Sequence, residues 1–217
     1  MSHHHPSEEM LLSYAAGSMS EPLALLVATH LALCPQCRHE VAAYEMLAGE
    51  ELEDQSPALL SSDSLVRVLD RLDAPEAAAE APQPPLAAQG DLRLPRPLRD
   101  YVAGSLDSLD WHQRGGIAEA SLLPERDDFK TRLMRIRPKT AIPEHSHHGS
   151  EYTLVLTGGF SDHTGHFVRG DVAIADPAVQ HRPIADAGED CICLAVTDAP
   201  LRFTGPIARL LSPLLQR

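Results

Sequence analysis

Two sets of residues in this chain have the types and the spacing to hold metal ions. The first is built on His30-Leu-Ala-Leu-Cys34-Pro-Gln-Cys37. In a helix, His30 and Cys34 are four residues apart and share one face. Pro35 suits the first turn of a following helix, which carries Cys37 two residues further on. Two thiolates spaced Cys-x2-Cys reach one tetrahedral ion, and the histidine adds a third ligand, the chemistry of a structural zinc site. The fourth ligand must come from elsewhere, and the residues alone leave His3, His4 and His5 as candidates. The competing reading is a buried thiol pair beside an unrelated histidine, which asks three ligand types to meet at metal spacing by accident.

The second set is His145-Ser-His147-His148-Gly-Ser-Glu151, with His181 some thirty residues later in Gly170-Asp-Val-Ala-Ile-Ala-Asp-Pro177-Ala-Val-Gln-His181. His145 and His147 are two apart, so both project to one face of an extended segment. Glu151 opens the next strand and can point back into the same cavity. Three imidazoles and a carboxylate form a mixed N/O site suited to Zn, Fe, Mn or Ni. His148 and His163 are expected at the surface, and His112 and His166 have no partner at useful spacing. Cys191 and Cys193 fall on one face of a strand; packed core cysteines are the simplest reading, and a redox-sensitive pair the sharper one.

The elements that must position the first set are helices. Ser7 before Glu8 and Glu9 makes a helix start, and Gly17 can end that helix. Ser20-Glu21-Pro22 opens a second helix running to His30, and a third continues from Pro35 to about Leu52. A fourth follows Ser61 or Ser62. Its apolar residues Leu65, Val68, Leu69 and Leu72 fall at i, i+3, i+4 and i+7. So short a helix is marginal in water and should lie against something, in the free chain its own three-helix core.

Residues 74–97 form an Ala/Pro/Gln-rich run, read as an extended linker. Beyond it, "FKTRLMRIRP", "EYTLVLTGGF", "DVAIADP" and "CICLAVTD" read as strands separated by turns, the pattern of a sandwich or small barrel. A helical period returns only at residues 206–217.

Both sets sit inside family patterns. The stretch from His5 through Cys37 resembles the zinc-binding domain of the ChrR-type anti-sigma factors, in which a leading histidine precedes a short helix and His-x3-Cys-x2-Cys follows. That resemblance implies His5 as fourth ligand and a role for the fourth helix in gripping a sigma factor. The second set resembles the cupins. His145-x-His147-x3-Glu151-x6-Gly158 matches their first motif, with Lys139 where the leading glycine stands. Gly170, Pro177 (shifted by one) and His181 match the second, whose inner glycine is replaced and whose final asparagine is Ala185. The order of the two domains is also that of ChrR-type proteins. The expected architecture is therefore a small all-α zinc-binding bundle over 1–73, a linker over 74–97, and an all-β cupin jelly roll over 98–217.

Charge separates the halves. Of the formal net charge of −13, residues 1–73 carry −9, from 12 acidic and 3 basic side chains. An acidic surface repels phosphate, so direct nucleic-acid binding is not expected, whereas a basic protein would be attracted. No apolar run approaches the ~20 residues of a membrane span, no signal peptide is apparent, and four cysteines are no disulfide framework, all suiting a cytoplasmic setting. The resemblance implies a non-enzymatic anti-sigma factor that sequesters an extracytoplasmic-function (ECF) sigma factor. It would release that partner on singlet oxygen or related oxidative stress. A zinc ion would hold the first domain and a second divalent metal the cupin, with zinc the first expectation there and iron or manganese the others. The rival class is a metal-dependent cupin enzyme of dioxygenase or isomerase type.

Overall fold

The computed structural model describes residues 2–73, 91–102, 104–124, 129–199 and 201–203. Residues 74–90 of the expected linker and the run at 206–217 lie outside these.

The chain opens with four helices: α1 (Glu8–Ala15), α2 (Glu21–Leu33), α3 (Pro35–Glu53) and α4 (Ser64–Asp73). Their punctuation is local. The Ser7 side chain accepts the Met10 N–H at the start of α1. Gly17 takes φ +66° just after α1, a conformation that favours glycine. Pro22 and Pro35 occupy the first turns of α2 and α3, where a missing N–H costs nothing. Cys34 leaves the helical conformation between them, so the chain turns where ligands are needed.

A short helix α5 (Arg96–Arg99) leads into eleven strands: β1 (His112–Arg114), β2 (Ile117–Ser121), β3 (Lys130–Ile136), β4 (His145–His147), β5 (Glu151–Thr157), β6 (Gly159–Asp162), β7 (Gly165–Val168), β8 (Val172–Ala175), β9 (Ile184–Ala185), β10 (Cys191–Thr197) and β11 (Leu201–Phe203). They form a six-stranded antiparallel sheet, β1-β2-β3-β10-β5-β8, a three-stranded sheet, β7-β6-β9, and the pair β11-β4. Side chains from the sheets meet in an inner core that includes Ile136, Val155, Phe160, Phe167, Cys191 and Cys193.

The large sheet is covered on both faces. Along β10, Cys191 and Cys193 face the inner core, while Ile192, Leu194 and Val196 join a second cluster. That cluster also holds Leu25, Leu26 and Val27 of α2, and Leu94, Leu98, Val102 and Leu106. One hydrophobic core thus runs from the helices onto the outer face of the sheet. This explains why "CICLAVT" lacks polar alternation: all seven residues are buried.

Two expectations change. Residues 91–97 were assigned to the linker, yet Leu94 is buried, and Asp91 accepts the Leu106 N–H at 3.1 Å and binds Arg93. The folded second half begins by residue 91. Helix α4 was expected to pack on the first three helices in the free chain. Instead Leu65, Val68, Leu69 and Leu72 are 68%, 56%, 48% and 75% exposed. Among the described elements, α1 packs on α3 and α2 on α3, α5 and β10, while α3 itself leaves Met46, Leu47 and Leu52 exposed.

Candidate metal centres

His5, His30, Cys34 and Cys37 come together. Three separate pieces supply them: the segment before α1, the last turn of α2, and the α2–α3 junction with the first turn of α3. Their ligand atoms lie within 4.8 Å of one another. His30 Nε2 is 3.3 Å from Cys37 Sγ, and His5 Nδ1 is 3.3 and 3.5 Å from the sulfurs of Cys37 and Cys34. Ligands held at 2.0–2.3 Å around a tetrahedral ion stand about 3.5 Å apart, so the spacing fits. Of the three N-terminal histidines, His5 is the one in the cluster; the His4 ring packs on Phe167 instead, with centroids 4.4 Å apart.

The electrostatics favour a metal. Burial lowers the His30 imidazole below its ordinary range, so it is neutral and ready to coordinate. Burial and the adjoining Cys34 push the Cys37 thiol up to about 12. Such a thiol ionises at neutral pH only with a cation beside it.

The hydrogen bonds behind the two histidine ligands reach into the barrel half. His30 Nδ1 donates to the Gly170 carbonyl at 2.8 Å, which leaves Nε2 facing the sulfurs. Asp171 Oδ1 accepts the His3 and His4 N–H groups at 2.6 and 3.2 Å, and Val172 N–H donates to His4 O at 3.0 Å. Burial works against ionisation of Asp171, but the backbone donors of Val168, His3 and His4 outweigh it and hold the carboxyl below its usual value. Gly170 has φ +93°, a left-handed conformation that favours glycine.

His145, His147, Glu151 and His181 form the second cluster, again within 4.8 Å. β4 carries both first histidines, β5 begins with Glu151, and His181 pairs with His145 through an isolated bridge. The His181 Nε2 lies 3.0 Å from His145 Nε2 and 3.2 Å from His147 Nε2. The outer nitrogens are occupied: His145 Nδ1 donates to Pro143 O at 2.8 Å, and His181 Nδ1 to Asp162 Oδ2 at 2.7 Å. Those bonds fix each Nε2 as the lone-pair side, the arrangement a ligand needs.

Glu151 Oε2 is buried without a hydrogen-bond partner, 3.4 Å from His147 Nδ1 and 3.7 Å from His145 Nε2. A buried carboxylate oxygen beside two imidazoles suits a shared cation. Burial opposes its charge, yet His145, His147 and Arg132 together hold the carboxyl down to about 2. Burial lowers His147 to about 4 and, with the neighbouring His145, brings His181 down as well. Two of the imidazoles are thus kept neutral beside an ionised carboxylate.

The cavity at this cluster is otherwise apolar, lined by Met134, Ile142, Phe160, Ala173 and Pro183 among others, with Cys193 on its wall. Cys191 and Cys193 Sγ are 3.5 Å apart, and both are buried. Sequence reasoning missed three participants: Asp162, Asp171 and the Gly170 carbonyl. Asp162 carried a signal, an Asx turn at Asp-His-Thr164, where Oδ1 accepts the Thr164 N–H at 2.7 Å.

Among known proteins, a family model described as the ChrR cupin-like domain matches residues 100–200. The anti-sigma-E factor ChrR of Cereibacter sphaeroides is 42% identical over 210 residues, covering 97% of this chain and 96% of the relative. The crystal structure of Rhodobacter sphaeroides SigE in complex with the anti-sigma ChrR matches with a TM-score of 0.78 and 40% identity, over 91% of this chain and 100% of that one.

Proposed function

The chain belongs to the ChrR family of anti-sigma factors, and from that premise we propose that it sequesters an ECF sigma factor and releases it under oxidative stress. The observation that carries the reading is α4. Its apolar stripe of Leu65, Val68, Leu69 and Leu72 is left exposed by the chain itself, on the acidic half of the molecule. Such a stripe on a helix suits docking into a groove of a partner. The relative that matches along nearly the whole chain is itself crystallised with a sigma factor.

In this reading the helical half, through residue 73, makes the grip, with zinc at His5, His30, Cys34 and Cys37. The second half, folded from residue 91 onward, is the sensor, with a divalent metal, zinc first, at His145, His147, Glu151 and His181; residues 74–90 join the two. Singlet oxygen is the stimulus the family suggests. The barrel serves as a sensor rather than an enzyme, in keeping with the anti-sigma relatives; beyond the candidate ligands, the described residues of its cavity offer only Thr153 and Cys193 as reactive groups. No helix among the described residues is long and apolar enough to cross a membrane, and we assign the protein to the cytoplasm.

The test is inhibition of transcription by the cognate sigma factor with the purified chain, compared with Leu65→Glu/Leu69→Glu. The wild-type chain is expected to inhibit and to co-purify with its partner, and the double variant to do neither. Equal inhibition by both would remove α4 from the grip. No inhibition by wild-type chain would remove the function.

A further inference from the structure

The four ligands of the helical cluster come from the helical half, but the hydrogen bonds that orient the His30 ring and anchor the segment before His5 come from the other half. The His30 ring is oriented by the Gly170 carbonyl, 140 positions away in sequence. The segment that delivers His5 is tied down at the two residues before it: both N–H groups go to the Asp171 carboxylate, and His4 O accepts from Val172. Asp171 is fully buried, and its second oxygen is used by Val168 N–H at 2.9 Å, so it has no slack. Among the described residues, its hydrogen-bond partners are main-chain donors.

We propose that the helical metal site is a composite site: Gly170–Val172 of the barrel forms its outer shell, and Asp171 is the residue that positions the His3–His5 segment. The inference rests on the reading of His5, His30, Cys34 and Cys37 as metal ligands. Groups behind metal ligands matter because they fix ring orientation and the direction of the lone pair; losing one typically costs 10–100-fold in metal affinity. Here the group behind the ligands belongs to the other half of the chain. Metal binding and docking of the barrel must therefore strengthen each other by the same factor.

The same three residues connect to the second cluster. Gly170 N–H donates to Val155 O, and Val155 N–H donates to Asp171 O. Val155 lies on β5, four residues after Glu151, and β5 pairs with β8 along Glu151–Leu154. One strand pair thus has a barrel ligand at one end and the outer shell of the helical site at the other.

The experiment uses the full chain loaded with Co2+. Thiolate-to-cobalt charge-transfer absorption reports only a site with cysteine ligands, so the barrel cluster is silent in it. The band is followed while EDTA competes for the metal, in wild type, Asp171→Ala and His3→Pro. The second variant deletes one N–H donor from an exposed position and leaves the barrel interior intact. It decides the matter alone should Asp171→Ala not fold. Both folded variants are expected to lose the band at least tenfold more readily, with far-UV circular dichroism unchanged before the challenge. A band held as firmly by folded variants as by wild type would overturn the composite site. Absence of the band in the wild-type chain would instead overturn the ligand reading beneath it.

Discussion

The two metal clusters are matched in ligand number and opposite in construction. In the barrel, His145 and His147 sit on one strand, Glu151 begins the next, and His181 is bridged to His145 by main-chain hydrogen bonds. Its outer groups, Pro143 O and Asp162, belong to the same half. The helical cluster draws on three separate pieces of chain and leans on residues of the barrel. Sites built on paired strands are held by the scaffold, whereas sites at element ends are held by what they bind. The metal should therefore be a passenger of the fold in one region and a part of the fold in the other.

Removal of metal is the strongest way to break that contrast. Structural zinc sites contribute on the order of 10 kcal/mol to small domains. A Cys34→Ser/Cys37→Ser chain is expected to lose the zinc of the helical site and much of the helical signal of α1–α3, whereas His145→Ala should retain its sheets. Circular dichroism with metal analysis reads both. Full helicity in the metal-free double variant would place the two regions on the same footing.

The shared core sets the next scale. Leu194 of β10 is fully buried in the cluster that includes Leu25 and Leu26 of α2. Leu194→Ala should cost about 2–5 kcal/mol. Because the cluster is common to both halves, the thermal transitions of helices and sheets are expected to fall together. A shift confined to the sheet signal would mean that the halves melt as independent units.

A smaller effect should stay on one side of the comparison. Asp162 holds His181 Nδ1 at 2.7 Å and does not touch the helical cluster. Asp162→Ala should weaken metal binding in the barrel by about 10–100-fold and leave the cobalt–thiolate band of the helical site unchanged. Calorimetric titration beside that band separates the two. Loss at both sites would show that the barrel cluster, too, is shared.

Much of this was legible in the chain. Ser7, Pro22, Pro35 and Gly17 mark helix ends because their effects are local, and each acts where expected. The clustering of each candidate ligand set was legible because metal-binding patterns keep short spacings in sequence. What was not legible is main-chain or distant: the Gly170 carbonyl leaves no trace in residue type, and Asp171 meets His3 across 168 positions. The burial of Leu94 follows from the outer face of the large sheet needing a cover, which Leu94, Leu98, Val102, Leu106 and Leu109 provide together with α2. The unbroken apolar run Cys191–Val196 in β10 was the signal for a sheet covered twice.

The smallest expected effect tests how far the barrel tolerates departure from its family pattern. Lys139 stands where the first cupin motif has glycine, and it is the one non-glycine residue with positive φ among the described residues, at +60°. The turn is kept in spite of the side chain: Thr140 N–H donates to Arg137 O, and Lys139 N–H reaches Ala185 O at 3.0 Å. A left-handed conformation costs an L-residue roughly 1–2 kcal/mol, while glycine gives back about 0.5–1 kcal/mol through the entropy of the unfolded chain. Lys139→Gly should therefore stabilise the chain by about 0.5–1 kcal/mol, a rise in melting temperature of about 1–4 °C for a chain of this size. The strain is local to the loop leading to β4, so metal affinity at His145 should change little, and the thiolate site not at all. A fall in melting temperature would mean that the Lys139 side chain makes contacts worth more than the strain it carries. The barrel would then have rebuilt this turn around lysine rather than merely tolerated it.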